Sequence, residues 1–333
     1  MTVLANAYFT ALVNNAGLTF CELGKADSQV QTMNHPHLYD RKKGFDVFSR
    51  GLIQPIIPPT LSEILARTCP GKTVVLASRF AFGAQLAREK LHIPVITLAL
   101  TPHALAKGRA ISFFSPDGII GLFPAWFAKP TRPWPPHVRL TGFPLDSPVG
   151  SEPMPPSLEA FLASGNPPVV FTPGTAMRHA DLFFRESMKV CLQSGIRGIF
   201  VTPFDEQIPK KMPSGILHIR SAPFGTLFLR AKALVHSGGI GTSAQAMACG
   251  IPQLVIPLAF DQFDNASRLK KLGVALTLDP KEYRANAIAK HLRKLMTSGL
   301  VSKWCVSVAK EFKTDNPVLK ACDIIETYEN RPV

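Results

Sequence analysis

Hydrophobic positions fall into two alternations of short apolar runs and longer amphipathic stretches, with a proline-rich interval between them. In the first alternation, residues 2–5 read as a strand, 7–16 as a helix and 18–22 as a strand. Residues 24–44, GKADSQVQTMNHPHLYDRKKG, have no apolar period and predict a loop. Helical spacing returns over 45–66, followed by a strand at 73–77, a helix at 80–90 and a strand at 95–100. Short continuous apolar runs set between amphipathic helices predict a parallel sheet covered on both faces.

From 113 to 150 the texture changes to FPAWFAKPTRPWPPHVRLTGFPLDSP and its flanks. Proline at this density disfavours regular structure, and only residues 138–141 read as a strand. The second alternation predicts strands at 169–172, 198–202, 217–219, 233–236, 253–256 and 274–278. Helices are expected at 181–193, 242–249 and 265–272, and from the segment 222–229 onward, with closing helices at 285–296, 301–313 and 317–328. The expected fold class is α/β, with two doubly wound domains in tandem: 1–145, a linker at 146–160, and 161–333. Such sheets bind ligands at the carboxyl ends of their strands, and two facing domains would enclose a cleft there.

Composition adds a partner class. The 333 residues are 46% hydrophobic and only 18% charged, which excludes a disordered chain. Lys and Arg exceed Asp and Glu by 14, so nucleotides, phosphates or acidic lipid surfaces suit the chain. Basic runs such as Arg41-Lys42-Lys43 are short and have no interleaved aromatics, which disfavours a nucleic-acid groove. Six scattered cysteines without a CxxC pair suit free thiols in a reducing cytoplasm. No apolar run reaches membrane-spanning length, and no secretory signal opens the chain. His35 and His37 are expected to be solvated loop imidazoles, and no metal is expected.

Candidate chemistry concentrates in residues 235–269, VHSGGIGTSAQAMACGIPQLVIPLAFDQFDNASRL. A strand ends at His236, and Gly238, Gly239 and Gly241 turn the chain into a helix near Thr242. Glycines let a ligand approach the backbone, and the free N–H groups of a first helical turn bind phosphate. The alternative is a turn that needs glycine for packing alone. Asp261 and Gln262 follow the next strand and suit paired sugar hydroxyls, unless Asp261 or Asp264 only caps the following helix. Pro173-Gly174-Thr175 is a second, weaker strand-to-helix turn. Gly239 to Ala244 also fits GxGxxG/A, with Asp261 about 20 residues on, as in a dinucleotide site. That fingerprint normally opens its domain, whereas several strand–helix units precede it here, and it has no role for Gln262.

The stretch HSGGIGTSAQAMACGIPQLVIPLAFDQFDNASRLKKLGVAL strongly resembles the donor-binding motif of family 1-type glycosyltransferases with the GT-B fold. The subgroup looks like the bacterial rhamnosyltransferases of rhamnolipid synthesis and the sterol and antibiotic glucosyltransferases. The segment GLFPAWFAKPTRPWPPHVRLTGFPL is similar to the end of their N-terminal domain. The resemblance implies two Rossmann-like domains and inverting transfer of a hexose from a UDP- or dTDP-sugar to an apolar lipid, sterol or natural product. It needs no metal or cofactor, and contact with the inner membrane face is a further expectation. His236, Gly238, Gly239, Gly241 and Thr242 would hold the diphosphate, with Gly174 and Thr175 opposite. Ala222 would meet the nucleobase through its backbone, and Asp261 and Gln262 would grip the sugar. The resemblance also implies that the chain starts at the family's second strand, without the loop that bears the base, and is shortened after LTPHAL. His103 is then the substitute base to consider, and a chain that binds donor with little transfer is the alternative.

Overall fold

The computed structural model describes residues 1–105, 114–128, 134–135, 137–145, 149–175, 177–313 and 316–328. Two compact units divide the chain: 1–144 together with 316–333, and 145–315.

In the first unit, β1 (Thr2–Ala5) and β2 (Thr19–Glu22) pair in parallel, with α1 (Thr10–Asn15) between them in sequence. The polar segment expected to be a loop carries α2 (Ala26–Met33). A tertiary contact explains this helix. Thr32 is buried, and Gly51 lies so close that a side chain there would meet its hydroxyl. The single helix expected over 45–66 is α3 (Gly44–Phe48), a π turn, a 3-10 turn and α4 (Ile57–Arg67) in succession. Pro55, Pro58 and Pro59 supply no backbone donor, so a regular ladder cannot run through them. A four-stranded parallel sheet follows, in the order β3 (Val75–Ser78), β4 (Val95–Ala99), β5 (Gly118–Gly121) and β6 (Val138–Leu140), with α5 (Phe82–Leu91) between β3 and β4 in sequence.

Strand β5 stands where the sequence pattern predicts no regular element. Its sequence is Gly-Ile-Ile-Gly, and the prolines downstream mask it. All four residues are buried, and a Cβ on Gly121 would stand 2.6 Å from Leu140 Cδ2. One ion pair ties this sheet together. Arg88 of α5 grips Asp117 through two bonds of 2.8 and 2.7 Å, and Asp117 also accepts the Val95 N–H at 2.9 Å. Asp117→Ala strips both donors of their acceptor. We expect a loss of about 2 kcal/mol in unfolding free energy, read by urea titration.

The second unit is one six-stranded parallel sheet. Its strands are β7 (Val169–Thr172), β8 (Gly198–Val201), β9 (Ile216–Ile219), β10 (Ala233–His236), β11 (Gln253–Val255) and β12 (Ala275–Thr277), in the order β12-β11-β10-β7-β8-β9. Its helices are α6 (Pro156–Ala163), α7 (Asp181–Ser194), α8 (Phe224–Leu227), α9 (Ile240–Ala248), α10 (Gln262–Lys271), α11 (Ala285–Thr297) and α12 (Gly299–Glu311). Four of the six strands, β7, β8, β10 and β11, are buried along their whole length, as parallel strands covered on both faces must be, while the edge strands β9 and β12 are only partly buried. One cluster joins Leu158, Leu162, Val170, Ile199, Leu234 and Ala246, while Phe171, Phe184 and Phe200 pack ring against ring.

Two boundaries differ from the sequence pattern. Helix α6 begins inside the expected linker, with proline at its first turn and Leu158 fully buried; residues 146–148 of that linker lie outside the described residues. The last helix, α13 (Pro317–Glu326), groups with the first unit although it follows the second in sequence. Its apolar face packs on Ile96 and Ile120, and the Tyr328 hydroxyl donates to the Asp117 carbonyl at 3.0 Å.

Candidate functional site

The register of the second sheet gathers the candidate residues. His236 at the end of β10 stands opposite Thr172 at the end of β7 and Val255 at the end of β11. The turns after all three strands therefore share one edge of the sheet.

The three glycines after β10 have different reasons to be glycine. Gly238 has φ +89°, and a Cβ there would stand 2.8 Å from Val255 Cγ1 and 3.3 Å from the Gln262 carbonyl. Packing and backbone both demand glycine at that position. Gly239, the N-cap of α9, and Gly241 in its first turn are different: a Cβ at either would meet nothing within 4 Å. Among the described residues nothing requires them to be glycine, and their effect is to keep the space above the helix start clear. The first helical bond runs from the Ser243 N–H to the Gly239 carbonyl at 3.0 Å. The N–H groups of Ile240, Gly241 and Thr242 thus precede the intrahelical ladder at the positive end of a nine-residue helix. Gly241 is exposed and Thr242 half-buried, so this end is open to an anion.

His236 departs from expectation. The ring was expected to offer an N–H to the diphosphate, yet it is buried and both nitrogens face the protein. Nε2 lies 3.0 Å from Gln253 Oε1, and Nδ1 accepts the Gly238 N–H at 3.2 Å. Burial pushes the imidazole down from 6.5 to about 4, outweighing the Gln253 bond that favours protonation. Between those values the unfolded chain binds a proton that the folded chain refuses. The His236 contribution to stability should therefore be constant above pH 6.5 and fall as pH drops towards 4. Chemical denaturation across that range, on the chain and on His236→Gln, should show the slope shrinking in the variant.

Asp261 occupies the N-cap position of α10 but makes no side-chain cap bond. One carboxylate oxygen accepts from Asn265 Nδ2 at 2.8 Å. Asp264, the other cap candidate, instead holds Arg268 at 2.7 Å. Gln262 Oε1 accepts the N–H groups of Leu258 and Ala259 at 2.8 and 3.0 Å, which shapes a loop whose Phe260 has φ +54°. Its amide oxygen is thus committed to the loop.

On β7, Gly174 has φ +99°, and its Cβ position would lie 3.6 Å from Ser237 Oγ, so the Pro-Gly-Thr turn abuts the glycine turn with Thr175 exposed. Ala222 follows β9, two strands away from β7, and lies half-buried against the core. Just after it, α8 is tied to the end of α9: the thiol of Cys249, the C-cap of α9, donates to the Gly225 carbonyl at 3.5 Å. His103 sits in the first unit, in a 3-10 turn after β4. His35 Nδ1 accepts the His37 N–H at 3.1 Å, a local turn contact. Among the described residues no group of three His, Cys, Asp or Glu is placed to hold a metal ion. Two residues at the site had no role assigned from sequence. Gln253 and Asn265 are fully buried and bond directly to the candidate residues. An Asn four residues after an Asp on a helix faces it, which is the one signal that could have found Asn265.

Residues 200–322 match the Erythromycin biosynthesis protein CIII-like, C-terminal domain. The chain is 30% identical over 207 residues to the O-mycaminosyltylonolide 6-deoxyallosyltransferase of Streptomyces fradiae, covering 62% of this chain and 48% of the relative. It is 28% identical over 134 residues to the sterol 3-beta-glucosyltransferase of Kluyveromyces lactis, covering 40% of this chain and 11% of the relative. The chain thus spans about half the length of the first relative and about a tenth of the second. The glycosyltransferase VinC, solved in complex with dTDP, superposes with a TM-score of 0.71 at 16% identity, covering 99% of this chain and 92% of that one. The fold is the α/β GT-B fold with two Rossmann-like domains.

Proposed function

We propose that this GT-B chain is a family 1-type glycosyltransferase that takes a hexose from a UDP- or dTDP-sugar and transfers it to an apolar lipid, sterol or natural-product acceptor with inversion. The observation that carries the reading is the cleared space over Gly239 and Gly241, above N–H groups that precede the helical ladder. A turn built for packing alone would crowd all three glycines, and only Gly238 is crowded. The dTDP named with the VinC structure and the sugar transferases among the relatives support the same ligand class.

In this reading the acceptor hydroxyl attacks the anomeric carbon opposite the leaving diphosphate. The carbon–oxygen bond to the diphosphate breaks, the nucleoside diphosphate departs, and the hydroxyl proton passes to a base. Negative charge grows on the diphosphate as it leaves, and the N-terminus of α9 with the Thr242 hydroxyl stabilises it where a metal otherwise would. Ala222 faces the nucleobase through its backbone, and Asp261 and Gln262 face the sugar. Gln262 does so through its amide nitrogen, since its oxygen holds the loop. General-base assistance supplies roughly 10²–10⁴ in rate, and His103 is the first residue to replace in the search for that base.

The described cysteines are all unpaired, and no described helix is long and apolar enough to cross a membrane. With an excess of 14 basic residues, we place the reaction in the cytoplasm, at the acidic inner membrane face. The test is transfer of labelled hexose from UDP- and dTDP-sugars to a panel of sterols and macrolides. Transfer above the rate of a heat-treated control supports the enzyme. Saturable donor binding with no transfer supports a donor-binding homologue instead.

A further inference from the structure

Five residues form one unbroken hydrogen-bonded chain beneath the glycine turn. Gln253 Oε1 meets His236 Nε2 at 3.0 Å, and His236 Nδ1 meets the Gly238 N–H at 3.2 Å. The Gly238 carbonyl accepts from Asn265 Nδ2 at 2.9 Å, and the same amide nitrogen donates to Asp261 Oδ2 at 2.8 Å. The chain starts on β11, passes the end of β10 and finishes at the N-cap of α10.

Each link runs in only one sense. A backbone N–H can only donate, so Nδ1 of His236 is bare and the neutral ring carries its proton on Nε2. That proton points at Gln253 Oε1, which fixes the amide and leaves Gln253 Nε2 without a partner among the described residues. Asn265 directs its nitrogen to two acceptors and leaves its own Oδ1 without a donor among the described residues. Orphaned buried polar atoms destabilise a fold, and apolar side chains of similar size would avoid them. The arrangement therefore serves placement at the expense of stability. Both backbone polar groups of Gly238 are engaged by it, so Gly238 offers no N–H to a ligand.

We infer that Gln253, His236 and Asn265 are positioning residues: they form a brace that fixes the Gly238 peptide and, through Asn265, holds the diphosphate-binding turn in register with Asp261. This rests on the donor-site reading above and deepens it. The brace touches no ligand itself. The N–H groups of Ile240, Gly241 and Thr242 and the free oxygen of Asp261 make the contacts.

The experiment combines nitrogen NMR of the labelled full chain with calorimetric titration. The His236 ring should show protonated Nε2 and bare Nδ1 from pH 8 to about 5.5, unchanged when UDP or dTDP saturates the protein. Gln253→Leu leaves the Nε2 proton without its acceptor and should weaken UDP and dTDP about tenfold, with uridine and thymidine unaffected. Gln253→Glu keeps an oxygen acceptor and should restore nucleotide affinity at pH 8. Asn265→Ala should weaken both the free diphosphate and the extra contribution of the sugar. A role in folding alone would lower nucleoside and nucleotide affinity together. Wild-type nucleotide affinity in folded Gln253→Leu, or a His236 Nε2 resonance that shifts on nucleotide addition, overturns the brace. Failure of the unmodified chain to bind either nucleotide overturns the donor reading itself. If Gln253→Leu does not fold, the tautomer of the unmodified chain and its response to nucleotide decide the matter.

Discussion

Gly241→Leu should leave the second unit folded and abolish nucleoside-diphosphate binding, whereas Gly238→Ala should destabilise the unit severely. At Gly241 a new side chain meets no protein atom within 4 Å, and replacing a helical glycine gains up to about 1 kcal/mol of helix propensity. That leucine would occupy the space in front of the first-turn N–H groups. Nucleotide affinity should fall by at least about a hundredfold, the equivalent of losing two charge-assisted hydrogen bonds. At Gly238 the backbone sits at φ +89°, where a side chain is strained, and the new methyl would press on Val255 at 2.8 Å. Strain and overpacking together should lower stability by about 3–5 kcal/mol. Thermal unfolding and calorimetry on both variants separate the two roles. If Gly241→Leu unfolds as readily as Gly238→Ala, the glycines serve packing and the open space has no function.

The second large effect concerns the sugar. Asp261→Ala should weaken a UDP- or dTDP-sugar by roughly ten- to a hundredfold, the range for a lost hydrogen bond to a charged group. Affinity for free UDP or dTDP should change little, because the proposed diphosphate contacts lie on the start of α9. The structure sharpens this contrast, since Asp261 makes no cap bond to α10 and its removal costs no helix cap. The carboxylate does anchor Asn265, so a small drop in diphosphate affinity through the brace is expected beside the larger drop for the sugar. Equal losses for both ligands would mean that Asp261 acts only through Asn265 and grips no sugar.

Much of the second unit was legible because its strands are short, apolar and punctuated by glycine. Strands 169–172 and 233–236 fall where the pattern places them. The glycine turn was legible for the same reason, since strand, glycines and helix follow one another in sequence. The missed elements depend on contacts that local sequence does not encode. Helix α2 is held by Thr32 against Gly51, far along the chain. Strand β5 pairs with β4 and β6 across long connections. The last helix returns to the first unit because Tyr328 and its apolar face fit Ile96 and Ile120. At the site, sequence placed His236 correctly at the turn but could not show which way its ring faces. That direction depends on Gln253, which lies 17 residues on and opposite Leu234 in the sheet register. Asn265 was visible in the motif, but its bond to the Gly238 carbonyl spans 27 residues and exists only after folding.

The most direct test of the central claim is calorimetric titration of the full chain with UDP, dTDP and NAD under one set of conditions. UDP or dTDP should bind saturably and NAD more weakly, since NAD has no use for the Asp261-Gln262 pair. NAD binding more tightly than both nucleotides would contradict that claim.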